Sequence, residues 1–196
     1  MRTKRYTLKN SSRSIKVAIV GCGKIAEAHA EVIRSFARAA RLVATCDKEL
    51  LMAKQLAERF GTKSFYDDLS TMLKEEHPDV VHITTPPQSH YELAKTCLEA
   101  GRHVFVEKPF TVNVTEAMEL IDLATTNNLK LTVGNDEQFS PVALEMRHLV
   151  KSGWLGGPPT HMDVYYCYDL GDEHYARAFL KNRSHWLWPL PGQLIQ

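Results

Sequence analysis

The chain has 196 residues, 44% hydrophobic and 24% charged, enough to bury one full core with length left for part of a second unit. Its 24 Lys and Arg nearly cancel 23 Asp and Glu, and a net charge of +1 gives no field for gripping a phosphate backbone, which excludes nucleic acid as the expected partner. No apolar run approaches the roughly 20 residues of a membrane span, and Cys22, Cys46, Cys97 and Cys167 form neither a C-x-x-C pair nor a Cys/His cluster at ligand spacing, so a cytoplasmic protein with reduced thiols and no metal is expected.

Residues 1–16 carry Arg2, Lys4, Arg5, Lys9, Arg13 and Lys16 without an acid and lack the apolar stretch of a secretory signal, so 1–14 is expected to be a flexible basic tail. From Ile15 onward, short runs rich in Val, Ile and Thr alternate with longer amphipathic stretches. This pattern predicts an α/β fold, a doubly wound parallel sheet covered by helices over residues 15–140. The strands fall at 16–20, 41–46, 64–66, 80–84, 103–107 and 130–134. Runs such as Val17-Ala18-Ile19-Val20 need no polar alternation, because such strands are buried on both faces.

The first strand runs into Gly21-Cys22-Gly23-Lys24-Ile25-Ala26, a G-x-G-x-x-A turn feeding a helix from about Lys24. Gly21 permits the tight turn, Gly23 lets a pyrophosphate approach the backbone, and small Ala26 lets helix and strand pack closely. The helix start, at Lys24 and Ile25, offers N–H groups and a positive dipole end to phosphates. The second strand ends at Asp47, 26 residues beyond Gly21, where an acid can accept hydrogen bonds from adenosine ribose hydroxyls and repel the 2′-phosphate of NADP. Asp47 is therefore read as favouring NAD, with NADP still possible beside Lys48 and an ordinary helix cap as the alternative.

Ala53, Leu56, Ala57 and Phe60, and later Ala117, Leu120, Ile121 and Ala124, recur at i, i+3, i+4 and i+7 and predict core-facing helical stripes. The fourth strand leads into Thr84-Thr85-Pro86-Pro87-Gln88-Ser89-His90, at the carboxyl edge where open α/β sheets bind ligands, with a helix expected from about Ser89. This loop is read as lining a cofactor site; a first-turn surface histidine is the competing reading of His90. The fifth strand ends in Glu107-Lys108-Pro109-Phe110. Beyond it, Asn113 and Glu116 have capping-box spacing; before it, Gly101 follows Leu98-Glu99-Ala100 where a helix would end in a left-handed residue. A linking helix over 141–152 precedes Gly153, Gly156, Gly157, Pro158 and Pro159, and a Tyr/Val-rich strand is expected over 161–168.

G-x-G-x-x-A after strand one, Asp at the end of strand two, T-x-P-x-x-x-H after strand four (Thr84, Pro86, His90) and E-K-P after strand five together resemble the glucose–fructose oxidoreductase and inositol dehydrogenase (Gfo/Idh/MocA) family. The likeness extends to Gly134-Asn135, Phe139-Ser140-Pro141 and Ser152-Gly153-Trp154-Leu155-Gly156, covering almost all of 15–196. Gln138 stands where the family often has arginine. The resemblance implies a Rossmann domain with NAD (or NADP), then the start of an incomplete α+β substrate-binding domain over 141–196, and a homo-oligomer for the full-length form.

It implies cofactor contacts at Gly21, Gly23, Lys24, Ile25, Ala26, Asp47, Thr84, Thr85, Pro86, His90, Glu107, Lys108, Pro109 and Asn135. Lys108 is the implied catalytic residue, beside the nicotinamide and the substrate hydroxyl, with Pro109 after a cis bond. The implied reaction moves a hydride between nicotinamide and a hydroxyl or carbonyl carbon of a sugar or polyol. The family's catalytic Asp or Asn and His would follow a turn that 191–196 only begins, so the 196-residue chain is expected to be inactive alone. A non-catalytic dinucleotide-sensing regulator of the same fold is the main alternative. A methyltransferase holding S-adenosylmethionine on the glycine loop and Asp47 is a third reading, which gives Lys108-Pro109 no role.

Overall fold

The structure is a computed structural model and describes residues 13–36, 38–161 and 163. Six strands, β1 (Ile15–Val20), β2 (Ala40–Cys46), β3 (Ser64–Tyr66), β4 (Val80–Ile83), β5 (His103–Val106) and β6 (Leu131–Val133), form one sheet in the order β3-β2-β1-β4-β5-β6. Every pairing is parallel. Parallel neighbours need long crossovers, and these are supplied by α1 (Lys24–Ser35), α2 (Leu50–Phe60), α3 (Leu69–Glu76), α4 (His90–Glu99) and α5 (Val114–Thr126). This is the doubly wound Rossmann arrangement that the alternation of apolar runs predicts, with strand bounds within one residue of those expected.

Strand residues alternate between two cores, one on each face of the sheet. Val17 and Ile19 pack with Ala26, Ala30 and Ile33 of α1 and Ala53 and Leu56 of α2. Ala18, Val20, Val81 and Ile83 pack on the other face with Met72 of α3, Ala94 and Leu98 of α4, and Leu120 and Ala124 of α5. The stripe predicted on α2 is buried at Ala53, Leu56 and Ala57 and half-buried at Phe60. The α5 stripe needs one correction. Ile121 is 45% exposed, and Leu123 packs on the core in its place. Leu120 and Ala124 set the centre of the buried face, and a residue one position after Leu120 is turned about 100° away from it.

Local signals end the helices where expected. The Asn113 side chain accepts the Glu116 N–H at 2.9 Å at the start of α5. Asp68 does the same for Thr71 at the start of α3. Gly101 follows α4 with φ +74° and donates its N–H to Leu98.

The chain divides after Ser140 into two units. The second opens with α6 (Pro141–Lys151). The strand expected over 161–168 falls, apart from His161 and Asp163, outside the described residues, as do Cys167 and residues 1–12 of the basic tail. No helix among the described residues is long and apolar enough to cross a membrane, and no group of His, Cys, Asp and Glu among them could hold a metal ion.

Candidate cofactor site

The strand order reverses between β1 and β4, and because all strands are parallel, the segments following β1, β2, β4 and β5 share one edge of the sheet. Gly21 leaves β1 at φ +89°, in the left-handed region. A Cβ at Gly21 would lie 2.5 Å from Thr85 Cγ2 and 2.8 Å from the Thr85 nitrogen, so the turn is pressed against the loop after β4. Thr84 secures the same contact. Its buried hydroxyl donates to the Gly21 carbonyl at 2.6 Å, and its N–H donates to the Val20 carbonyl at 2.8 Å.

Gly23 differs in kind. It has φ −77° and nothing within 4 Å of where a Cβ would stand, so its missing side chain leaves open space rather than preventing an internal clash. Gly23 is also the N-cap of the twelve-residue α1, and no side chain caps that end. Lys24 and Ile25 are exposed beside it, while Ala26, 0% exposed, packs in the core beneath. An uncapped helix start above a bare glycine fits a pyrophosphate group.

Asp47 closes the other side of this turn. Its Oδ2 accepts the Cys22 N–H at 2.6 Å and its Oδ1 accepts the Glu49 N–H at 2.9 Å. The capping alternative is thus answered in part: α2 begins at Leu50 with Glu49 as N-cap, and Asp47 grips the glycine turn rather than the helix alone. Each carboxylate oxygen retains lone pairs for a further donor. Cys22 and Cys46 beneath it are free, buried thiols; burial, and next for Cys22 the Asp47 charge, pushes both up to about 12.

His90 calls for a correction. It is 0% exposed, neither a surface histidine nor one that can touch a ligand directly. Its Nε2 lies 2.8 Å from the Thr85 carbonyl, and its Nδ1 lies 2.9 Å from the Pro109 and 3.2 Å from the Phe110 carbonyl. The ring therefore joins the loop after β4 to the loop after β5. Pro86 is exposed at the start of a 3-10 turn, Pro87–Ser89, whose Ser89 hydroxyl donates to Thr85 Oγ1 at 2.8 Å.

After β5, Glu107 is half-buried and Lys108 exposed, and the Lys108–Pro109 peptide is cis. Glu107 Oε2 accepts the Lys108 N–H at 3.2 Å, and its Oε1 lies 3.0 Å from His29 Nε2. Burial raises the Glu107 carboxyl, but the hydrogen bond and charge of His29, with those of Lys108, outweigh it and hold the group below its ordinary value. Asn135 is exposed beyond β6, and its carbonyl accepts from Gln138 Nε2 at 2.9 Å.

Motif reading missed His29, His82 and the packing role of Gly134. The signals were there. His29 lies on the buried stripe of α1 defined by Ala26, Ala30 and Ile33, and His82 interrupts an otherwise apolar strand, two places where a polar group requires a partner.

Residues 15–135 match the model of the oxidoreductase family with an NAD-binding Rossmann fold, Gfo/Idh/MocA. The chain belongs to this family. It is 35% identical over 146 residues to D-glucoside 3-dehydrogenase of Escherichia coli K12, an alignment covering 74% of this chain and 42% of that protein. Among solved structures it is similar to the WlbA dehydrogenase of Chromobacterium violaceum in complex with NADH and UDP-GlcNAcA (29% identity, TM-score 0.69, covering 72% of this chain and 41% of that one). It also resembles GenD2 from gentamicin A biosynthesis in complex with NAD (27% identity, TM-score 0.68, covering 72% and 40%).

The chain thus spans about two fifths of the length of the proteins it matches. Family membership identifies an oxidoreductase domain of the NAD-binding Rossmann type, as the glycine turn and Asp47 suggest, and displaces the S-adenosylmethionine reading of that turn.

Proposed function

We propose that the chain is the cofactor-binding portion of an NAD-dependent dehydrogenase that moves a hydride between nicotinamide and a hydroxyl-bearing carbon of a sugar or polyol. The observation that carries this reading is Lys108, an exposed ammonium at the ligand-binding edge of the sheet whose main chain is fastened by Glu107. Relatives described as dehydrogenases of a glucoside and of inositol support the substrate class.

In this reading the glycine turn, with Lys24 and Ile25 at the helix start, binds the pyrophosphate, and Asp47 receives ribose hydroxyls. Thr84, Thr85 and Pro86 wall the nicotinamide end, His90 braces that wall from behind, and Asn135 faces the same space. Bound NAD supplies the hydride acceptor. Lys108 hydrogen-bonds the substrate oxygen: as the ammonium it stabilises negative charge there and gives up a proton when a carbonyl is reduced, and as the neutral amine it takes the hydroxyl proton when an alcohol is oxidised. A dinucleotide-sensing regulator would use the same turn but would leave the fastened Lys108 without work. We place the protein in the cytoplasm, consistent with the free thiols of Cys22, Cys46 and Cys97, and its full-length form in a homo-oligomer.

The test has two arms. Calorimetric titration of NAD⁺ and NADH into the 196-residue chain should show saturable binding at one site. Nicotinamide absorbance with a panel of sugars and polyols is then followed for this chain and for the longest product of the same reading frame. Absence of binding by both, or binding without turnover by the longer product across the panel, would sink the dehydrogenase reading.

A further inference from the structure

A side-chain cluster directly behind Glu107 has no part in the mechanism above. His29, on the second turn of α1, places Nε2 3.0 Å from Glu107 Oε1 and Nδ1 3.0 Å from His82 Nδ1. Phe105 stacks on the His82 ring at 4.9 Å, and the His29 ring meets His82 and Phe105 edge-on at 5.2 and 5.4 Å. Phe105 and His82 are direct partners in the β4–β5 ladder, so the sheet fixes their spacing. A further element approaches the same carboxylate: a Cβ at Gly134, just past β6, would stand 2.7 Å from Glu107 Oε1. Segments from α1 and from beyond β6 therefore meet at one carboxyl group, with His82 of β4 and Phe105 of β5 packed behind His29.

The hydrogen-bond chain has a direction. An ionised carboxylate only accepts, so His29 Nε2 must carry the proton that points at Glu107. Two Nδ1 atoms can bond to each other only if one carries a proton and the other does not. In the neutral form of His29 the single proton sits on Nε2, so its Nδ1 accepts and His82 donates from Nδ1. Burial and the neighbouring His29 push His82 down to about 4, against the pull of Glu107, so at neutral pH it has one proton to place.

We propose that His29 and His82 are positioning residues for Lys108: the chain from His82 Nδ1–H to His29, and from His29 Nε2–H to Glu107, fixes the carboxylate that holds the Lys108 main chain and so aims the lysine. The inference rests on the role assigned above to Lys108. It gives a reason for two histidines within an apolar layer, where leucine or phenylalanine would pack without a hydrogen-bonding requirement.

The 196-residue chain, labelled with ¹⁵N, carries the test. At pH 7 the imidazole nitrogen spectra should show His29 protonated on Nε2 and His82 on Nδ1. Hydrogen exchange of the Lys108 amide should speed up about tenfold in His29→Ala, the scale of losing a hydrogen bond to a charged group. In His29→Gln, whose amide can still donate to Glu107, exchange should stay within about threefold of wild type. Gly134→Ala approaches Oε1 from another element and should reproduce the His29→Ala effect, which keeps the idea testable if one variant folds poorly. His82 protonated on Nε2, or unchanged Lys108 exchange in both His29→Ala and Gly134→Ala, overturns the proposal. Titration of NAD⁺ into the same wild-type sample and into the longer product separates the two readings: binding absent from both with the exchange pattern intact removes the dehydrogenase assignment, whereas intact binding with unaltered exchange removes the positioning role.

Discussion

The Cys22 N–H donates to Asp47 Oδ2 at 2.6 Å, so the acid at the end of β2 clasps the glycine turn that follows β1. In the proposed reading, the same carboxylate that holds the turn also receives the adenosine ribose hydroxyls. Asp47→Ala should weaken NAD binding by about 1–3 kcal/mol, the range for losing hydrogen bonds to a charged group. Wild-type protein should prefer NAD to NADP. Calorimetry with both dinucleotides checks this, and equal affinity or a preference for the phosphorylated form would refute it.

Gly21 and Gly23 should respond differently to the same change. Gly21→Ala places a methyl group 2.5 Å from Thr85 Cγ2 at a positive φ, and should destabilise the fold by about 1–3 kcal/mol or more. Gly23→Ala meets no atom within 4 Å and should leave the melting temperature almost unchanged while reducing NAD affinity. Thermal melts beside titrations separate the two, and similar melting losses in both variants would show that Gly23 is a structural glycine only.

Lys108→Ala, made in a product that turns over, should lower kcat by about a hundredfold or more and change NAD affinity little, because its charge matters most as charge develops on the substrate oxygen. Lys108→Arg should rescue poorly, since a guanidinium stays protonated and cannot share a proton. Steady-state rates with dissociation constants measured in parallel decide it. An unchanged kcat in Lys108→Ala removes the lysine from the mechanism.

Acid should destabilise the fold through His82. The unfolded chain protonates this ring below its ordinary 6.5, whereas the folded protein holds it neutral down to about 4. Stability is therefore lost as pH falls across that window, by up to about 3 kcal/mol. Glu107, held below its ordinary 4.5, adds a loss in the same direction below that pH. The titratable neighbours of His82 are His29 on α1 and Glu107 after β5, and Glu107 in turn adjoins Lys108. Urea unfolding of wild type and His82→Asn at steps from about pH 7 to pH 4 should diverge in slope, and parallel curves would mean that the ring is not held neutral.

Replacing His90 should damage stability before chemistry. Its two nitrogens face three carbonyl oxygens in two loops, and His90→Ala strands them in a buried space, a loss of about 2–4 kcal/mol. Chemical denaturation measures it, and a loss under about 0.5 kcal/mol would show that the loops hold without the ring.

What could be read in advance follows the range over which each signal acts. The strands, the glycine turn and the Asn113 cap depend on residues a few positions apart, and all lie where their patterns put them. Asp47 was legible as an acid at the right strand end, but its bond to Cys22 was not, because the clasp exists only once β1 and β2 are side by side. The His82–His29–Glu107 chain is further from view. Its members come from β4, α1 and the end of β5, and no local spacing records that the three meet. The same holds for His90, whose sequence neighbourhood suggests an exposed first turn and whose burial is created by the loop around Pro109. Ile121 shows the limit of periodicity: four positions satisfied the helical template, and packing against α4 and the sheet selected a slightly rotated set.

The two outermost strands of the sheet, β3 and β6, are three residues long. Each offers only a few unpaired backbone groups, too short a template for a passing chain to extend the ladder, and cross-β stacking begins from such templates. Association between copies through this unit would therefore draw on side-chain surfaces, and its strength and selectivity would follow from shape and charge at those surfaces rather than from main-chain hydrogen bonding.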